Sequence, residues 1–399
     1  MQSKGLGFEE LGVAPHFVEV LSSQHIVSPT SIQSLAIPRI LDGESIVVKS
    51  QTGSGKSLAY LLPIVQMAAE SGRRVLVLLP TRELAQQVAR VAMSLGSDVG
   101  VATIYGGVEY DVQREALAAA PQIVVATPGR LEDLMEQGVA HISDVGVFVL
   151  DEVDQMVDLG FRDAIERLSG VRSVDAQSIC VSATLADGVR EVVDGVVGAV
   201  VEIVEDSAAP LAAQQIAQCA YFVEQSMMDH LLLHLLRTKR PAQTIIFCRS
   251  RKMADRLAEL LRANDFAAEA IHSDRSQAAR EYILQRFRDA ETQYLVATDL
   301  MARGIDVAGV SHVFNFGLPQ STHQYVHRVG RTGRAGASGE AVTLLCPDEK
   351  GVLSATCATM RQNIEVVDSH PYLTPAVTLA LNGVERPKAK GKRSRRCHR

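Results

Sequence analysis

The sequence predicts an α/β protein built as two tandem lobes. Each is a parallel sheet covered by helices on both faces; a flexible linker joins them, and a short basic C-terminal tail follows. Three observations lead there. Apolar runs of strand length alternate with amphipathic stretches of helix length along most of the 399 residues. The alternation breaks once, over the Ala-, Gln- and Ser-rich segment Glu205–Gln218, and then restarts. A glycine-rich loop joins the first strand to the first long helix, the place where such a sheet can carry an anion.

In the first lobe, buried strands are predicted at Ser45–Lys49, Arg74–Leu79, Val99–Tyr105, Ile123–Thr127, Val145–Leu150 and Ser178–Ser182. Helices are predicted between them at Leu58–Ser71, Leu84–Leu95, Val112–Ala119, Arg130–Gln137 and Phe161–Leu168. In the second lobe, strands are predicted at Thr244–Cys248, Ala267–Ile271, Tyr294–Val296, His312–Phe316 and Ala341–Leu345, with helices at Arg251–Ala263, Gln277–Arg288 and Ser321–Val329. The expected boundaries are 1–205 for the first lobe, 206–218 for the linker, 219–367 for the second lobe and 368–399 for an extension that ends in the basic run Arg386–Arg399.

Composition sets the class. Apolar residues make up 47% and charged residues 22%, an ordinary globular balance that excludes a disordered chain. The 40 Lys and Arg against 46 Asp and Glu give a net charge of -6, which argues against a simple basic nucleic-acid binder. That average hides a split: -13 over residues 1–205, -1 over 206–385 and +8 over 386–399. The six cysteines form no CxxC pair and no zinc spacing, and fit reduced, mostly buried thiols. No apolar run reaches ~18 residues, so no transmembrane helix is expected. Residues Met1 to Glu10 have no apolar segment of signal-peptide type. Trp is absent and aromatics are 5%, which argues against a general platform for stacking bases.

The strongest local signal is Gln51-Thr52-Gly53-Ser54-Gly55-Lys56-Ser57, between a strand and a helix. Its glycines let backbone N–H groups wrap a phosphate, Lys56 supplies a point charge for the β and γ phosphates, and the Ser57 hydroxyl can hold Mg²⁺. A chance glycine-rich turn is the competing reading, and the strand–loop–helix context disfavours it. A nucleotide hydrolase also needs carboxylates at a neighbouring strand end, and Val145–Leu150 runs into Asp151-Glu152-Val153-Asp154. Asp151 is suited to the Mg²⁺ shell and Glu152 to orienting and deprotonating the attacking water. A solvated acidic turn is the bland alternative. It loses because a buried strand feeds the cluster and the phosphate loop precedes it in the same sheet. In the second half, His327-Arg328-Val329-Gly330-Arg331-Thr332-Gly333-Arg334 places arginines three apart. On one helical turn they share a face, and their planar forks suit the transition-state charge on a γ-phosphate.

In order along the chain stand Phe8 and Ser28-Pro29-Thr30-Ser31-Ile32-Gln33, the phosphate loop, Pro80-Thr81-Arg82-Glu83-Leu84, Gly106-Gly107, Thr127-Pro128-Gly129-Arg130, Asp151–Asp154 and Ser182-Ala183-Thr184. Then come Ile246-Phe247-Cys248, Gln277 with Arg280, Ala297-Thr298-Asp299, Arg303-Gly304-Ile305-Asp306 and His327–Arg334. The chain thereby resembles the DEAD-box ATP-dependent RNA helicases of superfamily 2, over roughly residues 8–346, with Asp-Glu-Val-Asp at the name motif. The resemblance implies two RecA-like lobes, ATP and Mg²⁺ as cofactors, and RNA as partner. It implies RNA-stimulated ATP hydrolysis coupled to lobe closure and to local unwinding of duplexes or remodelling of ribonucleoprotein. The alternative within the family is a weakly catalytic RNA clamp or scaffold in an RNA-processing assembly.

Residue roles follow from the same resemblance. Gln33 would read the adenine edge with both amide groups, and Phe8 would stack on the base. Gln51, Thr52, Gly53, Ser54, Gly55, Lys56 and Ser57 would hold the phosphates, and Asp306 the ribose. Arg331 and Arg334 would reach the γ-phosphate. Asp154, Ser182, Thr184 and His327 would couple hydrolysis to closure. Thr81, Arg82, Gly107, Thr127, Arg130, Gln277, Arg280 and Thr298 would grip RNA through its backbone, without reading sequence. A monomer is expected, with protein cofactors or a ribonucleoprotein assembly around it, and no membrane. The basic tail reads as a nuclear or nucleolar address, with a cytoplasmic protein as the alternative, or as a non-specific RNA tether. The chain departs from the family pattern at Val153 (usually Ala), His25-Ile26 (usually Gly and an aromatic), Ser31 (usually Pro), Ser57 (usually Thr) and Met301 (usually small). Two extra methyls at Val153 would cost ~1–3 kcal/mol if nothing around them relaxes.

Overall fold

The computed structural model describes residues 7–50, 54–96, 98–198, 201–204, 216–299, 309–319, 321–333, 339–360 and 362–382. The chain divides into two compact units, Met1–Asp206 and Ser207–Arg399.

The first unit contains β1 (Ile46–Lys49), β2 (Val75–Leu78), β3 (Val101–Ile104), β4 (Ile123–Ala126), β5 (Val147–Asp151), β6 (Gln177–Ser182) and β7 (Val201–Val204). They form one sheet in the order β3-β4-β2-β5-β6-β1-β7, with every pairing parallel. Side chains alternate between two apolar layers, as a strand's period of two requires. Val75 and Val77 join Val125, Val149 and Ile179 on one face, while Leu76 and Leu78 join Val124, Phe148 and Cys180 on the other. Both faces are covered by helices, which is why these strands read as continuous apolar runs.

The second unit contains β8 (Ile216–Phe222), β9 (Thr244–Cys248), β10 (Ala268–Ile271), β11 (Tyr294–Thr298), β12 (His312–Phe316), β13 (Gly339–Leu345) and β14 (Glu365–Val367). Its order is β10-β11-β9-β12-β13-β8-β14, again all parallel. Counted from β8, this is the strand order of the first sheet. The chain uses one topology twice.

Several boundaries differ from expectation. Residues 216–218, assigned to the linker, are the first three of β8, which lies between β13 and β14. The rest of the linker, 206–215, and the basic run lie outside the described residues. The extension after residue 367 is not separate from the lobe. Its helix, Pro375–Asn382, buries Val377 completely in the second unit's core, flanked by Leu373 and Leu381. Thr374 Oγ1 donates to Glu224 Oε1 at 2.7 Å just before that helix. Helices Asp187–Val197, Met228–Lys239 and Lys350–Met360 also go beyond the elements expected from sequence. Cys180, Cys219, Cys248 and Cys346 are buried free thiols and Cys357 is partly buried, as the composition implied. Among the described residues, no helix is long and apolar enough to cross a membrane.

Candidate nucleotide and RNA sites

Strand order brings the nucleotide motifs together. β5, β6 and β1 are neighbours, with Asp151 in register with Val181 and Lys49 with Ser182. The phosphate loop, the Asp151 cluster and Ser182-Ala183-Thr184 therefore leave adjacent strands at their carboxyl ends, about 5 Å apart strand to strand. Ligands of open α/β sheets bind at that end.

Gly55 caps the helix Lys56–Ser71 with φ +90°, a left-handed conformation that favours glycine. A Cβ there would also lie 2.6 Å from Gln33 Nε2, so a larger residue would displace the Gln33 amide from its bond to the Gly55 carbonyl. Lys56 is buried, and its Nζ donates to the Ser50 carbonyl at 2.6 Å. Ser50 and Ser54 share a hydroxyl hydrogen bond of 2.7 Å across the loop. Ser57, one residue into the helix, is partly exposed. Gln51, Thr52, Gly53, Asp306 and Arg334 lie outside the described residues.

Asp151, the last residue of β5, is 4% exposed. It accepts from Tyr60 Oη at 2.7 Å and from the Glu152 N–H at 2.9 Å. Burial, and then the Glu152 charge, push its carboxyl up to about 7, against the smaller opposing pull of Lys56 and Tyr60. Tyr60 is itself buried beside Asp151, and burial followed by that carboxylate drives its phenol well above the ordinary value. Glu152 takes a left-handed φ of +58°, and its Oε2 is buried with no hydrogen-bond partner among the described residues. A strained carboxylate with an unsatisfied oxygen suits a group that meets something from outside the protein.

Asp154, Ser182 and Thr184 form one network. The Asp154 N–H donates to Ser182 Oγ at 3.3 Å, and Ser182 Oγ donates to the Thr184 carbonyl at 2.7 Å. Asp154 Oδ2 accepts from both the N–H and the hydroxyl of Thr184, at 3.1 and 3.3 Å. Val153, beside it, is fully buried in the apolar layer that holds Phe148, Met156 and Ile165. Its two additional methyls are thus packed rather than strained. Val153→Ala, which restores the usual family letter, is expected to lower stability by about 1–2.5 kcal/mol through a cavity. A thermal melt in which this variant unfolds above wild type would contradict that packing.

Two expectations about the adenine end change. Phe8 is 2% exposed and belongs to the first unit's core, so neither face of its ring is open to a base. Gln33 is buried, with Oε1 accepting from the Thr30 N–H at 2.9 Å and Nε2 donating to the Gly55 carbonyl at 3.2 Å. Oε1 closes the helix's own capping box and Nε2 ties helix Ser31–Leu41 to the phosphate loop, so reading a base would require new or shared bonds. The departures nearby have local reasons. Ser31 is the first helical position, where proline is favoured but not required. His25 sits at φ +62°, where a glycine would relieve about 1 kcal/mol.

The proposed RNA residues collect on the other half of the same sheet end, after β3, β4 and β2. Thr81 Oγ1 caps helix Arg82–Ser94 by accepting from the Leu84 N–H at 3.3 Å. Thr127 precedes helix Pro128–Glu136. Gly107 has φ +86°, and a Cβ there would lie 2.3 Å from Arg82 Nη1, so the guanidinium lies against its backbone. Arg130 Nη1 donates to the Val108 carbonyl at 2.9 Å. In the second unit, Arg280 Nη2 donates to Gln277 Oε1 at 2.5 Å on the helix Gln277–Arg288 that follows β10. Thr298 ends β11 and is 9% exposed. The pair β10-β11 occupies the position in its sheet that β3-β4 occupies in the first.

The arginine motif behaves differently from its sequence reading. Helix Thr322–Val329 ends before Arg331, so Arg328 and Arg331 do not share one helical turn. Arg328 is fully buried and pairs with both carboxylate oxygens of Asp299. It also donates to Asn315 Oδ1 and the Gly317 carbonyl at 3.3 and 3.1 Å. That arginine holds the lobe together. Arg331 is 9% exposed, with Nε donating to the carbonyl of buried His327 at 3.3 Å. The turn is fixed by Thr332, whose hydroxyl meets the carbonyls of Val310 and Ser311 at 2.6 and 3.0 Å. Tyr60 lies outside every motif, and Asp299 and Thr332 stand inside motifs without a role of their own. A tyrosine four residues past the phosphate-loop lysine carries the only signal for the first, and it reads equally well as core.

The DEAD/DEAH box helicase family model matches residues 30–192, and that of the helicase conserved C-terminal domain matches residues 227–336. The DEAD-box ATP-dependent RNA helicase CshA of Geobacillus kaustophilus is 36% identical over 383 residues, covering 95% of this chain and 81% of the relative. The chain belongs to the DEAD-box RNA helicases. RhpA of Helicobacter pylori, another DEAD-box ATP-dependent RNA helicase, is 36% identical over 345 residues, or 86% of this chain and 70% of its own length. The structure of S. cerevisiae Dbp5 bound to RNA and ADP BeF3 superposes with a TM-score of 0.83 at 27% identity, covering 94% of this chain and 99% of that one. This DEAD-box protein is accordingly an ATP-dependent RNA helicase with two RecA-like lobes, and ATP is its nucleotide.

Proposed function

We propose that ATP and RNA together draw the two lobes into one closed state, that hydrolysis depends on closure, and that closure opens short RNA duplexes locally. The observation that carries this reading is the division of labour between the units. The phosphate loop and Asp151–Asp154 belong to one, the Arg331 turn to the other, and each holds a share of the RNA residues. Such an arrangement makes the two ligands favour the same state.

The residues present fit a magnesium nucleotide. Hard oxygen donors, the Ser57 hydroxyl and the Asp151 carboxylate, suit Mg²⁺, and the unsatisfied Glu152 Oε2 fits a water-orienting base. Lys56, Ser57 and Asp151 would hold the metal and phosphates, and the bound metal would neutralise charge developing on the phosphates. Glu152 would orient the attacking water and take its proton. The Asp154–Ser182–Thr184 network would sense whether the γ-phosphate is present. Arg331 would stabilise the transferring group from the second lobe. Thr81, Arg82, Gly107, Thr127, Arg130, Gln277, Arg280 and Thr298 would grip the RNA backbone.

With a non-hydrolysable ATP analogue, RNA affinity is expected to rise about 5–150-fold. Equal affinity with and without the analogue rejects the coupling. RNA-stimulated phosphate release by wild type should exceed that of Glu152→Gln by about 100-fold or more. A wild type no faster than Glu152→Gln would instead support the weakly catalytic clamp, a reading that the packed Val153 does not favour. For the basic run 386–399 we favour the RNA tether over a nuclear address, because the relatives at 36% identity are bacterial. A monomer that joins larger ribonucleoprotein assemblies fits these parts. One neighbour, S. cerevisiae Dbp5, has been solved bound to the protein Gle1.

A further inference from the structure

Arg130 is held by more than its own motif. Its guanidinium carbon lies 4.1 Å from the centroid of the Tyr110 ring, within cation–π range. Nη1 is occupied by the Val108 carbonyl at 2.9 Å. Nε is buried without a hydrogen-bond partner, 3.9 Å from Asp133 Oδ2. Tyr110 Oη reaches the same Asp133 oxygen at 3.4 Å, a long contact on an exposed edge. Nη2 donates to nothing among the described residues and is not a buried atom. The Arg130 side chain is 9% exposed, whereas Tyr110 is 36% exposed. The guanidinium is thus clamped on one face and one edge, and a single edge remains to meet a ligand.

We propose that Tyr110 is a positioning residue for RNA, setting the Arg130 guanidinium so that its remaining edge meets the RNA backbone. This rests on the assignment of Arg130 to RNA made above. The physical reason is pre-organisation. An unrestrained arginine loses rotamer freedom when it meets a phosphate, whereas one already stacked and anchored loses little. The ring supplies the stacking at the start of helix Tyr110–Ala118, directly after the Gly106-Gly107 turn. A phenylalanine would supply the same face, and the hydroxyl adds little.

The test uses the full chain, a fluorescent oligouridylate and a non-hydrolysable ATP analogue, with affinity read by anisotropy. Tyr110→Ala is expected to bind about 3- to 10-fold more weakly, the scale of a partly exposed cation–π contact. Tyr110→Phe is expected within about twofold of wild type. In the Arg130→Ala background, Tyr110→Ala should cost nothing further. In RNA-stimulated hydrolysis the loss should fall on KM for RNA rather than on kcat. Wild-type affinity in Tyr110→Ala overturns the proposal. So does a second full loss in the double variant, because the ring would then be touching RNA itself. If Arg130→Ala alone binds RNA normally, the assignment of Arg130 fails first, and this failure is told apart by the single variant. Equal melting temperatures for wild type and Tyr110→Ala show that the chain still folds.

Discussion

Asp151→Asn is expected to reduce ATP hydrolysis about 10³-fold and, in buffer free of nucleotide and Mg²⁺ at pH 8, to make the protein more stable. The first effect follows from removing the carboxylate proposed to hold Mg²⁺. The second follows from burial. Asp151 has a carboxyl pushed up from 3.8 to about 7, chiefly by desolvation and next by Glu152. Below pH 3.8 the group is protonated in both folded and unfolded chains and contributes nothing. Between those values the folded chain keeps the proton and the unfolded chain releases it, so stability falls as pH rises. Above about 7 the full penalty remains, on the order of 4 kcal/mol for a shift of that size. Asparagine carries no charge to desolvate. Its oxygen can accept from the Glu152 N–H and its amide can donate to Tyr60 Oη, at the cost of the acceptor that the Tyr60 hydroxyl now uses, which offsets part of the gain. The expected gain is about 2–4 kcal/mol at pH 8, shrinking as the pH approaches 5. Thermal melts of both proteins at the two pH values measure it. An asparagine variant no more stable at pH 8 would mean that Asp151 is not held at such cost.

Gly339→Ala is expected to damage the arginine motif from behind. A Cβ on Gly339 would lie 2.6 Å from the Gly333 backbone N, 2.4 Å from Thr332 Oγ1 and 2.8 Å from Thr332 Cγ2. One of these is backbone. The threonine is 1% exposed, and its hydroxyl is committed to the Val310 and Ser311 carbonyls. None can move without disturbing the turn that carries Arg331. Overpacking of this kind costs about 2–3 kcal/mol, and displacement of Arg331 should lower RNA-stimulated hydrolysis at least about tenfold. Melting temperature and phosphate release together check it. A variant that melts and hydrolyses like wild type would show that the turn has room the geometry denies.

The central strands and the grouping of motifs were legible because each depends on local pattern. A parallel strand buried on both faces reads as an apolar run, and a phosphate loop reads as spacing. Elements with mixed signals were harder. Helix Asp187–Val197 contains Gly188 and Gly195 and is rich in β-branched valine, all poor helix formers. Yet Val189, Val192, Val193 and Val196 are buried at helical spacing, so the periodicity was present under an adverse composition. β8 begins at the end of a segment whose composition looks like linker, and only its place between β13 and β14 makes it strand. Gln33 and Phe8 show a second limit. The motif identifies the residue but not which partners its side chain meets, and here those partners are Thr30, Gly55 and the core. Tyr60 and Arg328 show a third. Their importance lies in contacts with Asp151 and Asp299, residues 91 and 29 positions away.

The repeated strand order has a stoichiometric meaning. After β1 the chain places Gly55, Lys56 and Ser57; after β8, the equivalent strand, it places Glu224, Gln225 and Ser226. The second sheet has the architecture of a nucleotide-binding lobe without the phosphate loop, and with an acidic residue where the loop would begin. The polypeptide is thus a pseudodimer with broken symmetry, in which two copies of one topology carry one phosphate loop. With one phosphate loop for two sheets, one bound nucleotide per chain is the expected stoichiometry, which an equilibrium titration measures.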